Sequence, residues 1–166
     1  MSSAQSDIEH RSSVPFLLSL ILFSSHPSSI PSPMSPSWAT ADLGVLVPGD
    51  PPTKLYYLDS HPVPPEGPYT TLVAVHGTGF NSRIWLPLLP HLPPHTRLLA
   101  FNRRGYAGSS PPHVSASPGA GNTEGFGRQV LDLAAFVRFA VEGLGVPAAA
   151  QGEGKGGIVL FGWCVL

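Results

Sequence analysis

Three short segments carry the residue types best suited to chemistry. His76-Gly77-Thr78-Gly79 follows the run TTLVAV, and its two glycines let the backbone turn sharply while leaving amide N–H groups free. Free amides in such a loop can hold a developing oxyanion, although the same pattern also serves as a plain strand-to-helix turn. Asn102-Arg103-Arg104-Gly105-Tyr106-Ala107-Gly108-Ser109 has glycines spaced for a tight, structured loop. Arg104 there is available to a carboxylate or a backbone carbonyl, and a scaffold loop forming a pocket wall is the plainer role. The third segment, Gly162-Trp163-Cys164-Val165-Leu166, contains the single Cys of the chain.

Other arrangements fail on spacing. Gly152-Glu153-Gly154-Lys155-Gly156 is glycine-rich like a phosphate loop, but Lys155 is not followed by Ser or Thr, and the glycines precede a strand. No GxGxxG opens a helix after a strand, so no dinucleotide site is expected. His91 and His95 have metal-like spacing, but Pro93 and Pro94 break the helix that would align them and no third ligand is evident. No metal or other cofactor is therefore expected. The PxxP pieces Pro33–Pro36 and Pro62–Pro65 suit an SH3-like partner, and also arise by chance in Pro-rich linkers.

The elements that must position the three segments follow from the apolar pattern. Thr70–Val75 and Arg97–Phe101 read as strands buried on both faces, and Ile158–Phe161 reads as a third. Leu43–Val47 and Lys54–Asp59, separated by Pro48-Gly49-Asp50-Pro51-Pro52, read as an antiparallel hairpin. Ile84–His91 reads as a short helix broken by prolines. Glu124–Leu144 reads as a helix whose apolar face is Phe126, Val130, Leu133, Ala134, Val137 and Ala140. Strands alternating with helices imply a parallel α/β sheet with the hairpin at one edge, and such sheets place their chemistry beyond the carboxyl ends of the strands.

The chain has 166 residues, room for one modest domain. Its 9 basic and 10 acidic residues give a net charge of −1, which excludes a nucleic-acid binder working by phosphate neutralisation. One Cys excludes an intrachain disulfide framework. Twelve of the 20 prolines fall in the first 68 residues, and Ser24–Ser37 is too rich in Ser and Pro for a helix or a central strand. Residues 1–41 are thus expected to be a disordered or signal-like leader, and 42–166 the domain. The apolar run Val14–Phe23 is too short for a transmembrane span. It resembles a secretory signal after Arg11, against which stand Asp7, Glu9 and Pro15. A cytoplasmic location is expected, or secretion if that run acts as a signal.

Taken in order, VAVHGTG, a strand running into NRRGYAGSS, and IVLFGW resemble the α/β-hydrolase fold superfamily, in its esterase, lipase and epoxide-hydrolase-like branch. The resemblance covers roughly residues 42–166. It implies an α/β fold: an N-terminal antiparallel hairpin, then parallel strands with crossover helices, forming an incomplete α/β-hydrolase sheet. It assigns an oxyanion-hole amide to Thr78, with His76 and Gly77 shaping the loop. The family's D-x-R-G-x-G-x-S segment falls on Asn102–Ser109, with Asn102 in place of Asp and with Arg104, Gly105, Gly108 and Ser109 matching.

The family's G-x-S-x-G nucleophile elbow falls on Gly162 and Trp163, with Cys164 at the nucleophile and Leu166 where the closing Gly belongs. A thiolate is a competent nucleophile when a base lowers its pKa. Cys164-Val165-Leu166 also reads as a foreign tail left by a cut or misspliced coding sequence. The family's acid and His follow its nucleophile, whereas all seven histidines here precede it. The expectation is an N-terminal hydrolase fragment that is inactive alone, whose full-length form would take a small ester-like substrate. The alternatives are a non-catalytic binding or regulatory fragment, or a gene-model artefact. Oligomeric state is not indicated.

Overall fold

A computed structural model describes residues 36–112, 122–147 and 156–163. All of them belong to the second of the two units into which the chain divides, Ser32–Leu166. Val14–Phe23, Lys155 and its preceding glycines, His113 and Cys164 lie outside the described residues.

Five strands, β1 (Ser37–Gly44), β2 (Thr53–Asp59), β3 (Thr70–Val75), β4 (Thr96–Phe101) and β5 (Ile158–Gly162), form one sheet in the order β1-β2-β4-β3-β5. β1 pairs antiparallel with β2, and β2 antiparallel with β4. β3 lies between β4 and β5 and is parallel to both. A 3₁₀ helix, Ser82–His91, connects β3 to β4, and helix α1, Asn122–Glu142, connects β4 to β5. The mixed sheet with its hairpin at one edge is the architecture expected from the sequence.

Period-two alternation sorts the strand residues into two cores. Ala41, Leu55, Tyr57, Val73, Leu99 and Phe101 pack with Phe136 and Ala140 of α1 on one face. Leu58, Ala74, Leu98 and Ala100 pack with Trp85 and Leu89 of the 3₁₀ helix on the other. Pro87 and Pro90 sit inside that helix. Each removes an N–H and crowds the preceding turn, so the segment winds tighter than an α-helix. Asn81 caps it, its side chain accepting the Arg83 N–H at 3.0 Å.

Three expectations need correction. β5 is not buried on both faces: it lies at the sheet edge, and Val159, Leu160 and Phe161 are exposed. The first strand is Ser37–Gly44 and not Leu43–Val47: it begins inside the stretch read as leader, and Val45 is exposed beyond its end. As an edge strand it buries fully only the small Ala41, so its apolar signal is weak. The face of α1 is also rotated from the expected one. Phe126, Val130 and Ala134 are exposed, while Asp132, Ala135, Phe136 and Ala140 are buried, with Leu133 and Val137 at the margin. Phe136 carries the contact, its ring 4.7 Å from that of Phe101 and 5.5 Å from that of Tyr57.

A buried ion pair ties β4 to the end of β2. Arg97 Nε and Nη2 donate to the two carboxylate oxygens of Asp59 at 3.1 and 2.7 Å, and both side chains are almost fully buried. Burial alone would lower the Arg97 pKa, but the bond to Asp59 outweighs it and raises the value, so the guanidinium stays charged. The neighbouring Ser60 is likewise structural. Its hydroxyl accepts the Leu98 N–H at 2.8 Å and shares a second hydrogen bond with His61 Nδ1, also at 2.8 Å.

Candidate functional site

Val75 pairs with Phe101 on one side and with Gly162 on the other. The carboxyl ends of β3, β4 and β5 are therefore level, and the three segments singled out in the sequence leave the sheet at one rim. On that rim His76 and Gly77 are buried, while Thr78, Gly79 and Phe80 are exposed.

His76 fixes the first loop from within. Its Nε2 accepts the Arg103 N–H at 3.0 Å, so the ring proton must sit on Nδ1, which donates to the Gly77 carbonyl at 2.9 Å. Burial lowers its pKa; the Gly77 bond opposes that and the Arg103 charge adds to it. The ring is thus neutral, with both nitrogens engaged. The next residues are held from outside. The Phe80 N–H bonds the Gly77 carbonyl at 3.3 Å and the Gly79 N–H bonds the Tyr106 hydroxyl at 3.2 Å. The Thr78 N–H, like that of the buried Gly77 before it, has no acceptor among the described residues.

The second loop is a scaffold in which each expected residue has a definite partner. Asn102 is buried, its Oδ1 accepting both the N–H and the hydroxyl of Ser82 at 2.7 Å while its Nδ2 donates to the Ala107 carbonyl at 2.7 Å. Arg104 Nε bonds both oxygens of Asp132 on α1 at 3.0 and 2.9 Å, and its Nη2 bonds the Thr53 hydroxyl. Ser109 donates to the Asn102 carbonyl at 2.6 Å and accepts the Tyr56 N–H at 2.9 Å. Ser110 bonds the Lys54 N–H and carbonyl, so the loop continues the ladder of β2 where β4 has ended. Gly108 has φ +82°, and a Cβ there would lie 2.7 Å from the Tyr56 ring. Gly105, at φ +83°, would meet Pro112 at the same distance.

The third segment reaches the rim beside the first. The Trp163 N–H bonds the Val75 carbonyl at 3.1 Å, extending the β3–β5 ladder past Gly162. The Trp163 ring stacks on Phe80 with centroids 5.8 Å apart. The chain thus leaves Trp163 next to the His76–Phe80 loop.

Sequence reasoning missed Arg103, Tyr106 and Asp132. Asp132 had a readable signal, a charged residue set within the apolar stripe of a helix. Arg103 and Tyr106 had none beyond their place in a glycine-bounded loop. A cavity of about 280 Å³ opens beside the rim between Val75, Phe101, Arg103, Phe126, Leu133 and Phe161. A larger hollow of about 540 Å³ lies at the opposite ends of the strands, against Thr70, His95, Thr96 and Val159, and touches none of the site residues. Among the described residues no three His, Cys, Asp or Glu side chains are grouped to hold a metal ion, and no helix is long and apolar enough to cross a membrane.

The family model described as the alpha/beta hydrolase family matches residues 72–165. No curated protein sequence matches the chain. Solved structures similar to it include a haloalkane dehalogenase loop variant from Bradyrhizobium elkanii, at 19% identity over 77% of this chain and 32% of that one, with a TM-score of 0.48. A bromoperoxidase from Bacillus anthracis is similar at 22% identity over 75% of this chain and 34% of that one, TM-score 0.45. Epoxide hydrolase A from Mycobacterium thermoresistibile is similar at 21% identity over 77% and 31%, TM-score 0.47. The chain spans about a third of the length of each of these structures.

Proposed function

The chain belongs to the alpha/beta hydrolase family, and from that premise we propose that its rim is the oxyanion half of a site that cleaves ester-like bonds by nucleophilic catalysis. The observation that carries this reading is the Thr78 N–H, which has no acceptor among the described residues and belongs to an exposed rim residue, between His76 and Gly79, which are both bonded. A donor fixed in advance stabilises the negative charge that develops on a carbonyl oxygen when a nucleophile attacks. The nucleophile position falls to Cys164, directly after Trp163, with Gly162 and Trp163 forming the entry to the elbow.

On this reading the described residues do not supply the base. His76 has both nitrogens engaged and its pKa lowered by burial. His61 is bonded to Ser60, beyond the end of β2 that lies away from the rim. His91 ends the 3₁₀ helix and His95 directly precedes β4, both remote from the carboxyl ends of the strands. The substrate class is a small acyl ester, and the chain by itself positions the oxyanion without completing turnover.

The test is hydrolysis of p-nitrophenyl acetate by the full chain beside its Cys164→Ala variant. The expected result is no repeated turnover by either protein. Repeated turnover that Cys164→Ala abolishes would overturn the reading that the chain is inactive alone.

A further inference from the structure

The Arg103 side chain stands where the elements of the rim meet. Its Nη2 donates to the Thr78 hydroxyl at 3.3 Å and to the Tyr106 hydroxyl at 3.3 Å, and its Nη1 donates to Gln129 Oε1 of α1 at 3.2 Å. The guanidinium carbon lies 5.2 Å from the Tyr106 ring centroid. All three acceptors are neutral. Arg104, the adjacent cation, is instead committed to a carboxylate.

The geometry closes a circuit around the first loop. The Gly79 N–H bonds the Tyr106 hydroxyl, that hydroxyl bonds Arg103, and Arg103 bonds Thr78. The backbone N–H of the same arginine bonds His76. One residue therefore holds the loop at its buried start by main chain and at its exposed middle by side chain. The planar fork is suited to this, because several N–H groups in fixed directions can reach acceptors on different elements at once.

We infer that Arg103 is the positioning residue of the oxyanion loop, setting the orientation of the Thr78 peptide by clamping Thr78 and Tyr106 to α1. This rests on the reading of Thr78 as an oxyanion donor for its catalytic meaning. The clamp itself is measurable without any ligand or turnover.

The experiment compares the full chain with Arg103→Met, Arg103→Lys and Tyr106→Phe by nuclear magnetic resonance. The readouts are hydrogen exchange at the Gly79 and Phe80 amides and the three-bond couplings that report the Thr78 rotamer. In Arg103→Met, exchange at both amides is expected to rise about tenfold or more as a local opening, and the Thr78 couplings are expected to average. The Ala74 amide inside β3 and the Nδ1–H signature of His76 are expected to stay unchanged, since the latter depends on the Arg103 main chain. Arg103→Lys is expected to recover the loop only in part, because an ammonium keeps the charge but lacks the planar fork that reaches Thr78, Tyr106 and Gln129 at once. An unchanged loop in Arg103→Met, or a loop as well held in Arg103→Lys as in the unaltered chain, would overturn the inference. If Arg103→Met does not fold, Tyr106→Phe decides. Faster exchange at Gly79 with the Thr78 rotamer still fixed supports the clamp, and release of both assigns it to Tyr106 and overturns it. Because no arm uses an ester, failure here is separable from failure of the hydrolase reading.

Discussion

The Nε2 of His76 accepts the backbone N–H of Arg103 at 3.0 Å, joining the loop after β3 to the loop after β4 through a buried imidazole. That bond exists only while the nitrogen is unprotonated. The site loop is therefore linked to the ionisation of one histidine, and the linkage has a definite sign.

Burial lowers the pKa of His76, and burial likewise lowers that of His61, against the opposing pull of Asp59. A group whose folded value lies below its unfolded value, about 6.5 for His, binds protons in the unfolded chain first. Stability should be level above about pH 7.5 and should fall as the pH drops through 6.5 towards 5. Urea unfolding at a series of pH values checks this. His76→Gln should be less stable at pH 7.5 yet show a shallower fall, and an equal slope in both proteins would exclude His76 as a source of the dependence.

Two glycines at the same backbone angle separate strain from crowding. Gly79 and Gly108 both have φ +82°, but a Cβ at Gly79 meets nothing within 4 Å, whereas at Gly108 it would lie 2.7 Å from the Tyr56 ring and 2.8 Å from its Cβ. Tyr56 has little room to yield, because its ring stacks on Trp38 with centroids 5.3 Å apart. Gly79→Ala should lose about 1 kcal/mol from the left-handed conformation alone. Gly108→Ala should lose about 2 kcal/mol beyond that. Denaturant midpoints measure both, and equal losses would contradict the close approach.

Asn102 stands where the family motif has Asp, and its three bonds predict an order of variants. Asn102→Asp keeps an acceptor for the two Ser82 donors but buries a carboxylate and sets its second oxygen against the Ala107 carbonyl, a loss of about 2 kcal/mol. Asn102→Ala removes all three bonds and strands two buried donors, a loss of about 3 kcal/mol. Unfolding of the three proteins at neutral pH gives the ranking, and a reversed order would contradict the partners assigned to Asn102.

The strands β2 to β5 and the shared rim were legible because each rim strand is a continuous apolar run that ends at or next to glycine or a polar residue. β1 was not, since Ala39 and Ala41 carry little apolar signal and Pro36 precedes the strand directly. The face of α1 was misread because periodicity weighs each residue alone. Asp132 is buried by an arginine 28 positions earlier in the chain, while Phe126 and Val130 stay exposed beside the exposed Leu160 and Phe161 of β5. The candidate site divides in the same way. His76, Gly77, Thr78, Gly162 and Trp163 could be placed from local pattern. The Arg103–Tyr106–Thr78 circuit depends on which loops meet in space, and no spacing in the chain encodes that.

On the proposed reading, the Thr78 amide is presented at the rim as a donor for a tetrahedral oxyanion. An alkylphosphonate monoanion mimics that charge and shape, and its titration into the labelled full chain reads the amide directly. A saturable shift of the Thr78 amide resonance is expected, with the Thr71 amide, bonded to the Gly157 carbonyl at the far end of β3, unmoved. An unmoved Thr78 resonance at saturating phosphonate, or equal shifts at Thr78 and Thr71, would contradict it.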